Sequence, residues 1–436
     1  MATKNIVCPV CGASCDDIQV ELEGQGLTVR NACKMGNAKF QEVMSPHRIR
    51  EPLVRVDGDL RRASWDEAIE MTARILASSE RPLLFMGSET STEAMEVGIH
   101  MAEFLGGIAD SNSTVCHGPT TMGIQEAGRV GATAGQSKLR ADLTVYWGSN
   151  PLESMPRHMS RYAVYPRGYW TQRGRFDRTV ICVDPRRSIT AENADLHIQL
   201  NPNTDYELLS ALLTLLHGKR PHHSAEDVTG VSISEMEKML DMMKSCNFGA
   251  IYVGLGIASS YGKHRNAEMA FNLVKELNSH TKFVIGALRG HCNVAGFNQI
   301  ASYLYGFPFG LDFARGYPRY NPGEYTAVDV LREQDVDAAF ILSADLVSHF
   351  PAVCSEYLAQ IPVACIDIAP CPTTMLSDVV LPGVIDAMES DGTFYRLDDV
   401  PIYFLPFTSS PFSFTKSNVD TMNQIFERVK RIKGRK

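Results

Sequence analysis

The chain has 436 residues, of which 44% are apolar, 21% charged and 8% aromatic, and its formal net charge is −8. These proportions belong to a globular chain able to bury several cores and exclude a disordered one. The acidic balance lacks the basic footprint of a nucleic-acid binder, and no apolar run approaches the roughly 18 residues a membrane helix needs, so neither nucleic acid nor membrane is expected as a partner.

At roughly 150 residues per domain the length predicts about three domains. The opening MATKNIV runs straight into cysteines, without an apolar leader or twin arginine, which predicts a cytoplasmic protein. Eleven cysteines in that setting point to metals or reactive thiols rather than disulfides.

Residues 1–55 are short on helical periodicity and hold four of the eleven cysteines, as a small metal-stapled unit would. The texture then changes. ASWDEAIEMTARILASS has apolar residues at helical spacing, PLLFMG reads as a buried strand and TSTEAMEVGIHMAEFLGG as a second amphipathic helix. The strands LTVYWG and TVICVD, the helix TDYELLSALLTLLHG and the strand AIYVGLG follow, then the helix AEMAFNLVKELN and the strands AAFILSA and VACIDI. Alternating strands and helices predict parallel α/β sheets. Residues 306–323, rich in Gly, Pro and aromatics, read as a long crossing between domains. The closing ERVKRIKGRK carries six Lys or Arg and reads as a solvated helix end, with an interaction tail as the alternative.

An internal echo runs through this pattern. The strand LTVYW ends in Gly148-Ser149-Asn150-Pro151 and leads to TVICVDP, Thr190 and Ala194-Asp195. The strand AAFIL ends in Ser343-Ala344-Asp345 and leads to VACIDIAP, Thr373 and Ser377-Asp378. Duplicated α/β units commonly bind ligand at the carboxyl ends of their strands.

Four motifs carry chemistry. Cys8, Cys11, Cys15 and Cys33 are separated by two, three and seventeen residues. Three thiols on one loop and a fourth from a later turn suit one [4Fe–4S] cubane. Zinc is the alternative, although a second two-residue knuckle is missing. Lys34 is either a surface lysine or a cation beside the cluster. Cys116-His117 precedes a Gly-Pro turn and a helix, where a thiolate is stabilised and an imidazole can carry protons; a buried, inert cysteine is the alternative. In GALRGHCNVAGFNQ, Arg289, His291 and Asn293 stand among small residues, and an arginine there can grip a carboxylate. The Gly254-Leu255-Gly256 turn offers a phosphate cradle, but Ser259 stands where a nicotinamide fingerprint needs glycine.

Taken together, the chain resembles the molybdopterin oxidoreductase family, which includes formate dehydrogenases and nitrate reductases. The matching pieces are the cysteine loop, Cys33-Lys34-x-Gly36, Gly148-x-Asn150-Pro151, Val183-Asp184-Pro185-Arg186, Asn203-Thr204-Asp205, Asp378-Val379-Val380-Leu381-Pro382 and Glu389-x-Asp391-Gly392-Thr393. Within that family SxVCHGPT, PRHMSR (156–161), RGRFDRT (173–179), RGHCNVAGFNQ (289–299) and PRYNPGE (318–324) resemble the B subunits of formylmethanofuran dehydrogenases.

The resemblance implies an α/β fold with a cluster domain (1–55) and two parallel-sheet domains related by the repeat, one from 56–136 with 317–385 and the other from 137–316. A last segment, 386–436, packs back on the N-terminal domain, and the family's C-terminal barrel is absent. It implies a [4Fe–4S] cluster on Cys8, Cys11, Cys15 and Cys33, tungsten or molybdenum on Cys116, and two pyranopterin guanine dinucleotides. Lys34 would lie between cluster and pterin. Gly148, Asn150, Asp184, Arg186, Asp205, Gly254, Ser343 and Thr373 would contact the dinucleotides. His117 and Arg289 would flank the open metal position, Arg289 steadying negative charge on carboxylate oxygens and His117 shuttling a proton. The implied reaction is the two-electron reduction of CO2 to formate, as in methanogenesis from CO2. Implied partners are a subunit supplying the barrel, a hydrolase-like subunit condensing formate with methanofuran, and iron–sulfur electron-transfer subunits. A formate dehydrogenase and a non-redox scaffold of a formyltransferase/hydrolase complex are the alternatives.

Overall fold

The computed structural model describes residues 4–23, 26–408 and 416–434. The leader residues Met1–Thr3 and the terminal cations Arg435 and Lys436 lie outside them. Two compact units emerge, one of Met1–Val115 with His291–Lys436 and one of Cys116–Gly290.

The first unit opens with an antiparallel three-stranded sheet, Lys4–Ile6, Ile18–Glu23 and Gly26–Arg30, followed by the helix Lys34–Gln41. Its main sheet has nine strands. The order is Arg319–Tyr320, Leu311–Asp312, Ile108–Ser111, Pro82–Met86, Ala338–Leu342, Val363–Asp367, Val379–Pro382, Leu53–Val56 and Asp59–Arg62. The central five are parallel, and antiparallel pairs close both edges. Pro82–Met86 and Ala338–Leu342 are buried at every position, as strands covered on both faces must be.

The flanking helices follow their sequence signals. Trp65–Ser78 buries Ala68, Ile69, Thr72, Ala73, Leu76 and Ala77, a 3.6-residue period. Ser64 starts it with a capping box: its hydroxyl accepts from the Glu67 N–H at 3.2 Å, and the Glu67 carboxylate accepts from the Ser64 N–H. Thr92–Leu105 is capped by Ser91 and ends at Gly106, whose φ of 71° only glycine adopts freely.

The second unit is a five-stranded, wholly parallel sheet in the order Leu196–Ile198, Thr179–Val183, Leu143–Trp147, Phe248–Val253, Lys282–Ala287. Trp147, Ile181, Ile251 and Phe283 fill its core against the helices Asp205–Leu216, Ile233–Ser245 and His264–Leu277.

The parallel cores of the two units share their wiring. Gly148 N–H bonds Val183 O and Ser343 N–H bonds Ile366 O, each at 2.9 Å, and Gly148 and Ser343 both have positive φ. Asp195 and Asp378 each donate from the main chain to, and accept from, a strand residue, Val180 and Val363 respectively. Thr190 donates to Asn150 Oδ1 at 2.6 Å, and Thr373 donates to Asp345 Oδ1 at 2.7 Å. Gly254 N–H bonds Trp147 O, and Gly87 N–H bonds Leu342 O. The chain order is permuted: Pro82–Met86 and Ile108–Ser111 come first among the parallel strands of their unit, whereas Phe248–Val253 and Lys282–Ala287 come last in theirs.

The two compact units meet in sequence at 115/116 and 290/291, and the sequence reading sets its domain bounds at 137 and 316. The helix Gly118–Ala127 packs on His264–Leu277, and Val294–Tyr305 packs on Thr92–Leu105, so each joins the unit it covers. Residues 306–323 do not cross between units; they add the strands Leu311–Asp312 and Arg319–Tyr320 to the first unit's sheet edge. The C-terminal helix Asn418–Ile432 packs on Trp65–Ser78 and Thr92–Leu105. It is the turn after Gly392–Tyr395 that reaches the cysteine loop, through Leu397 N–H to Gly12 O at 2.8 Å.

Candidate active site

In the first unit the cysteine loop is folded back on itself. Cys8 N–H bonds Cys15 O at 2.9 Å and Ser14 N–H bonds Cys11 O at 3.0 Å. Cys292 N–H pins the loop through Val10 O at 3.1 Å. Cys33 is the N-cap of Lys34–Gln41, and its sulfur accepts from the Gly36 N–H at 3.4 Å. A Cβ on Gly36 would sit 3.2 Å from the Cys8 sulfur and 3.8 Å from that of Cys33, so the glycine leaves room where two thiols meet. Burial pushes the Cys8 and Cys11 thiols up, Cys11 to about 12, and the neighbouring thiols add to the rise. Thiols this near to one another repel as thiolates unless a cationic centre compensates them, and their chemistry is that of the soft sulfur donors of an iron–sulfur cluster. Among the described residues no three such side chains are drawn together at metal-ligand spacing. Lys34 is exposed at the start of its helix.

The second unit brings Cys116, His117 and Arg289 together. Cys116 and His117 immediately precede the helix Gly118–Ala127, with Pro119 in its first turn. Burial pushes the Cys116 thiol up, while the Arg289 guanidinium and the N–H groups of Gly290 and His117 oppose that rise. A thiolate here meets positive charge and two amide donors, surroundings that favour the ionised sulfur. His117 is buried. Its Nε2 lies 3.0 Å from Leu288 O and its Nδ1 3.1 Å from the Thr120 hydroxyl. A carbonyl only accepts, so Nε2 carries the proton and Nδ1 accepts from Thr120. Burial, then the Arg289 charge, lower the imidazole to about 4. The ring is neutral at ordinary pH, with both nitrogens engaged.

The remaining predicted residues gather at the carboxyl ends of the parallel strands. In the second unit these are Gly148, Asn150, Asp184, Arg186 and Gly254. A Cβ on Gly254 would lie 2.2 Å from Gly148 O, so only glycine allows that approach. Arg186 is exposed, and its N–H donates to Asp184 Oδ1 at 2.8 Å. Asp205 is already engaged, accepting from the Trp147 indole N–H at 2.8 Å. The helix after Gly254, Leu255–Ser259, is one turn long and supplies little dipole. In the first unit a cleft opens at the matching strand ends, lined by Ser88, Ser343, Asp345, Asp367, Cys371 and His291. Thr373 is buried beneath it, bonded to Asp345.

Sequence reasoning missed Asp367 and Lys39 in this cleft. Burial raises the Asp367 carboxyl to about 6. Lys39 bridges Glu42 and Glu89, each at 3.0 Å. Asp367 had a signal, since it is the echo's counterpart of Asp184; Lys39 had none. The motif residue Glu389 is structural. Its fully buried carboxylate pairs with Arg48 at 2.9 Å and accepts from Ile385 N–H at 2.7 Å.

A profile of the molybdopterin oxidoreductase family matches residues 48–427. The chain is 41% identical over 433 residues to the B subunit of the tungsten-containing formylmethanofuran dehydrogenase 2 of Methanococcus maripaludis, covering 99% of each chain. Among solved structures it is similar to a chain of the formyltransferase/hydrolase complex of Methylorubrum extorquens, with a TM-score of 0.69 at 18% identity, covering 87% of this chain and 99% of that one. It is also similar to acetylene hydratase of Pelobacter acetylenicus, with a TM-score of 0.75 at 15% identity, covering 99% of this chain and 70% of that one. At those identities the two structures speak to fold alone.

Proposed function

This chain belongs to the molybdopterin oxidoreductase family, among the formylmethanofuran dehydrogenase B subunits, and on that premise we propose that it is the catalytic subunit reducing CO2 to formate. The observation that carries the reading is Cys116 with the Arg289 guanidinium and the Gly290 N–H around its sulfur. Cys116 would hold tungsten or molybdenum, with Cys8, Cys11, Cys15 and Cys33 holding the [4Fe–4S] cluster. When bound, the metal–pterin centre and cluster supply two-electron chemistry at low potential, which side chains cannot.

The chain's own residues have separable tasks. Arg289 steadies the negative charge of a carboxylate product. His117 holds the main chain at Leu288 and so aims the neighbouring Arg289. Lys34 stands beside the cluster as a cation. Gly148, Asn150, Asp184, Arg186 and Gly254 form one dinucleotide cradle, with Asp205 supporting it from beneath. Ser343 and Thr373, with Asp345 and Asp367, form the other, and the shared wiring is read as a duplicated pterin guanine dinucleotide site.

The protein works in the cytoplasm with companion subunits: one hydrolase-like, condensing formate with methanofuran, and others carrying electrons through iron–sulfur centres. No helix of the described residues is long and apolar enough to cross a membrane. The test is turnover of the anaerobically purified complex with a low-potential electron donor and labelled CO2. Labelled formate or formyl product should appear, and Cys116→Ala should lose tungsten or molybdenum and turnover together. Turnover surviving that substitution overturns the assignment.

A further inference from the structure

We propose that the excursion between the strands Leu143–Trp147 and Thr179–Val183 is a docking platform for an acidic face of a companion subunit. Neighbouring parallel strands are usually joined by a crossover helix. Here residues 148–178 contain only the one-turn helix Pro151–Ser154, the π-turn Met159–Ala163 and the turn Gly174–Asp177. The excursion is not slack. The Arg178 guanidinium, itself buried, donates to Lys138 O at 2.7 Å, Pro166 O at 3.0 Å and Ala141 O. Tyr169 N–H bonds Leu139 O at 2.7 Å. A Cβ on Gly168 would lie 2.7 Å from that same oxygen, so the chain can close there only through glycine.

This pinned framework turns aromatic side chains outward. Tyr165, Tyr169, Trp170 and Phe176 are all exposed, Tyr169 at 73% and Phe176 at 85%. Tyr169 and Trp170 stand edge to face at 5.2 Å. A rigid aromatic cluster left in water is the mark of a protein contact surface, since Tyr, Trp and Arg supply anchors at low entropic cost.

Charge names the partner's chemistry. Residues 157–178 hold six arginines against one aspartate, in a chain of net charge −8. Arg173 and Arg175 spend their charge on Asp177 and Asp195. Arg167 is exposed and has no ion-pair or hydrogen-bond partner among the described residues. An exposed aromatic surface on a segment of net positive charge, with Arg167 unpaired beside it, fits an apolar patch ringed by carboxylates. The proposal rests on the subunit reading only in requiring a companion, and it explains the PRHMSR and RGRFDRT strings, for which the catalytic reading has no use.

The test is hydroxyl-radical footprinting of the native anaerobic complex, read by mass spectrometry, with Phe176→Ala and Arg167→Glu introduced together into this chain. In the native complex Tyr169, Trp170 and Phe176 should oxidise at least tenfold more slowly than exposed aromatics of equal intrinsic reactivity. The double variant should lose one companion subunit, whose newly reactive peptide is rich in Asp and Glu. Both substitutions are at exposed positions, and unchanged metal content per chain shows that the variant has folded. Free oxidation of the three aromatics in the native complex overturns the proposal, as does protection by a second copy of this chain or by a non-protein component. Metal content failing to match the redox reading leaves this result unaffected, so the two ideas fail separately.

Discussion

His117 Nε2 donates to the main-chain oxygen of Leu288, the residue before Arg289, at 3.0 Å. The imidazole therefore fixes the strand exit that carries the arginine. Thr120 holds the other ring nitrogen, and burial lowers the imidazole to about 4.

His117→Ala should thus reduce turnover by the loss of one buried hydrogen bond, about 1–3 kcal/mol or roughly 5- to 150-fold. Tungsten or molybdenum content should stay at the level of the parent, and the pH profile between 6 and 8 should keep its shape. Disappearance of a titrating limb near neutral pH would instead assign His117 to proton transfer.

Arg289→Ala should abolish turnover and leave metal content intact, because the guanidinium serves substrate charge rather than the metal. Elemental analysis beside the activity assay decides it. Loss of tungsten or molybdenum in this variant contradicts the role.

Gly254→Ala should disrupt the second unit's strand-end cradle. The new Cβ would stand 2.2 Å from Gly148 O, a backbone atom that cannot step aside, at a cost of about 3 kcal/mol. Bound guanine nucleotide should fall with it. Gly286→Ala, in the adjacent strand, meets nothing closer than 3.8 Å and should be silent. Equal effects from the two would refute the cradle argument.

Asp110 gives a pH signature. It is fully buried and accepts from Gly310 N–H at 3.0 Å and Ala327 N–H at 2.6 Å, yet burial raises its carboxyl from 3.8 to about 6. Between those values the folded chain binds more protons than the unfolded one. This group's contribution to stability therefore falls as pH rises through about 4 to 6. Thermal unfolding of the complex should show that slope, and Asp110→Asn should remove it while lowering overall stability by about 1–3 kcal/mol. A variant with the slope unchanged would exclude Asp110 as its source.

Much of the fold was legible. The strand LTVYWG is Leu143–Trp147, and AAFILSA contains Ala338–Leu342, because strands buried on both faces read as continuous apolar runs. The echo's Thr190 and Thr373 make matching hydrogen bonds, since a polar side chain at a strand-to-helix turn has few partners within reach. What stayed hidden was long-range. Nothing in GPTTMGIQEA says that its helix covers His264–Leu277, and nothing in VAGFNQIASYLY names Thr92–Leu105 as its partner. The unit boundaries followed those contacts. His117 was legible as a titratable group, but its neutral, doubly bonded state depends on Leu288 O, a main-chain atom 171 positions away.

The most direct measurement is the metal and nucleotide content of this chain purified anaerobically with its native partners. The account predicts about four irons, one tungsten or molybdenum and two guanine nucleotides per chain, with the iron in a cluster held by four cysteines. Zinc without tungsten, molybdenum or guanine nucleotide would contradict it and leave a non-redox scaffold as the better description.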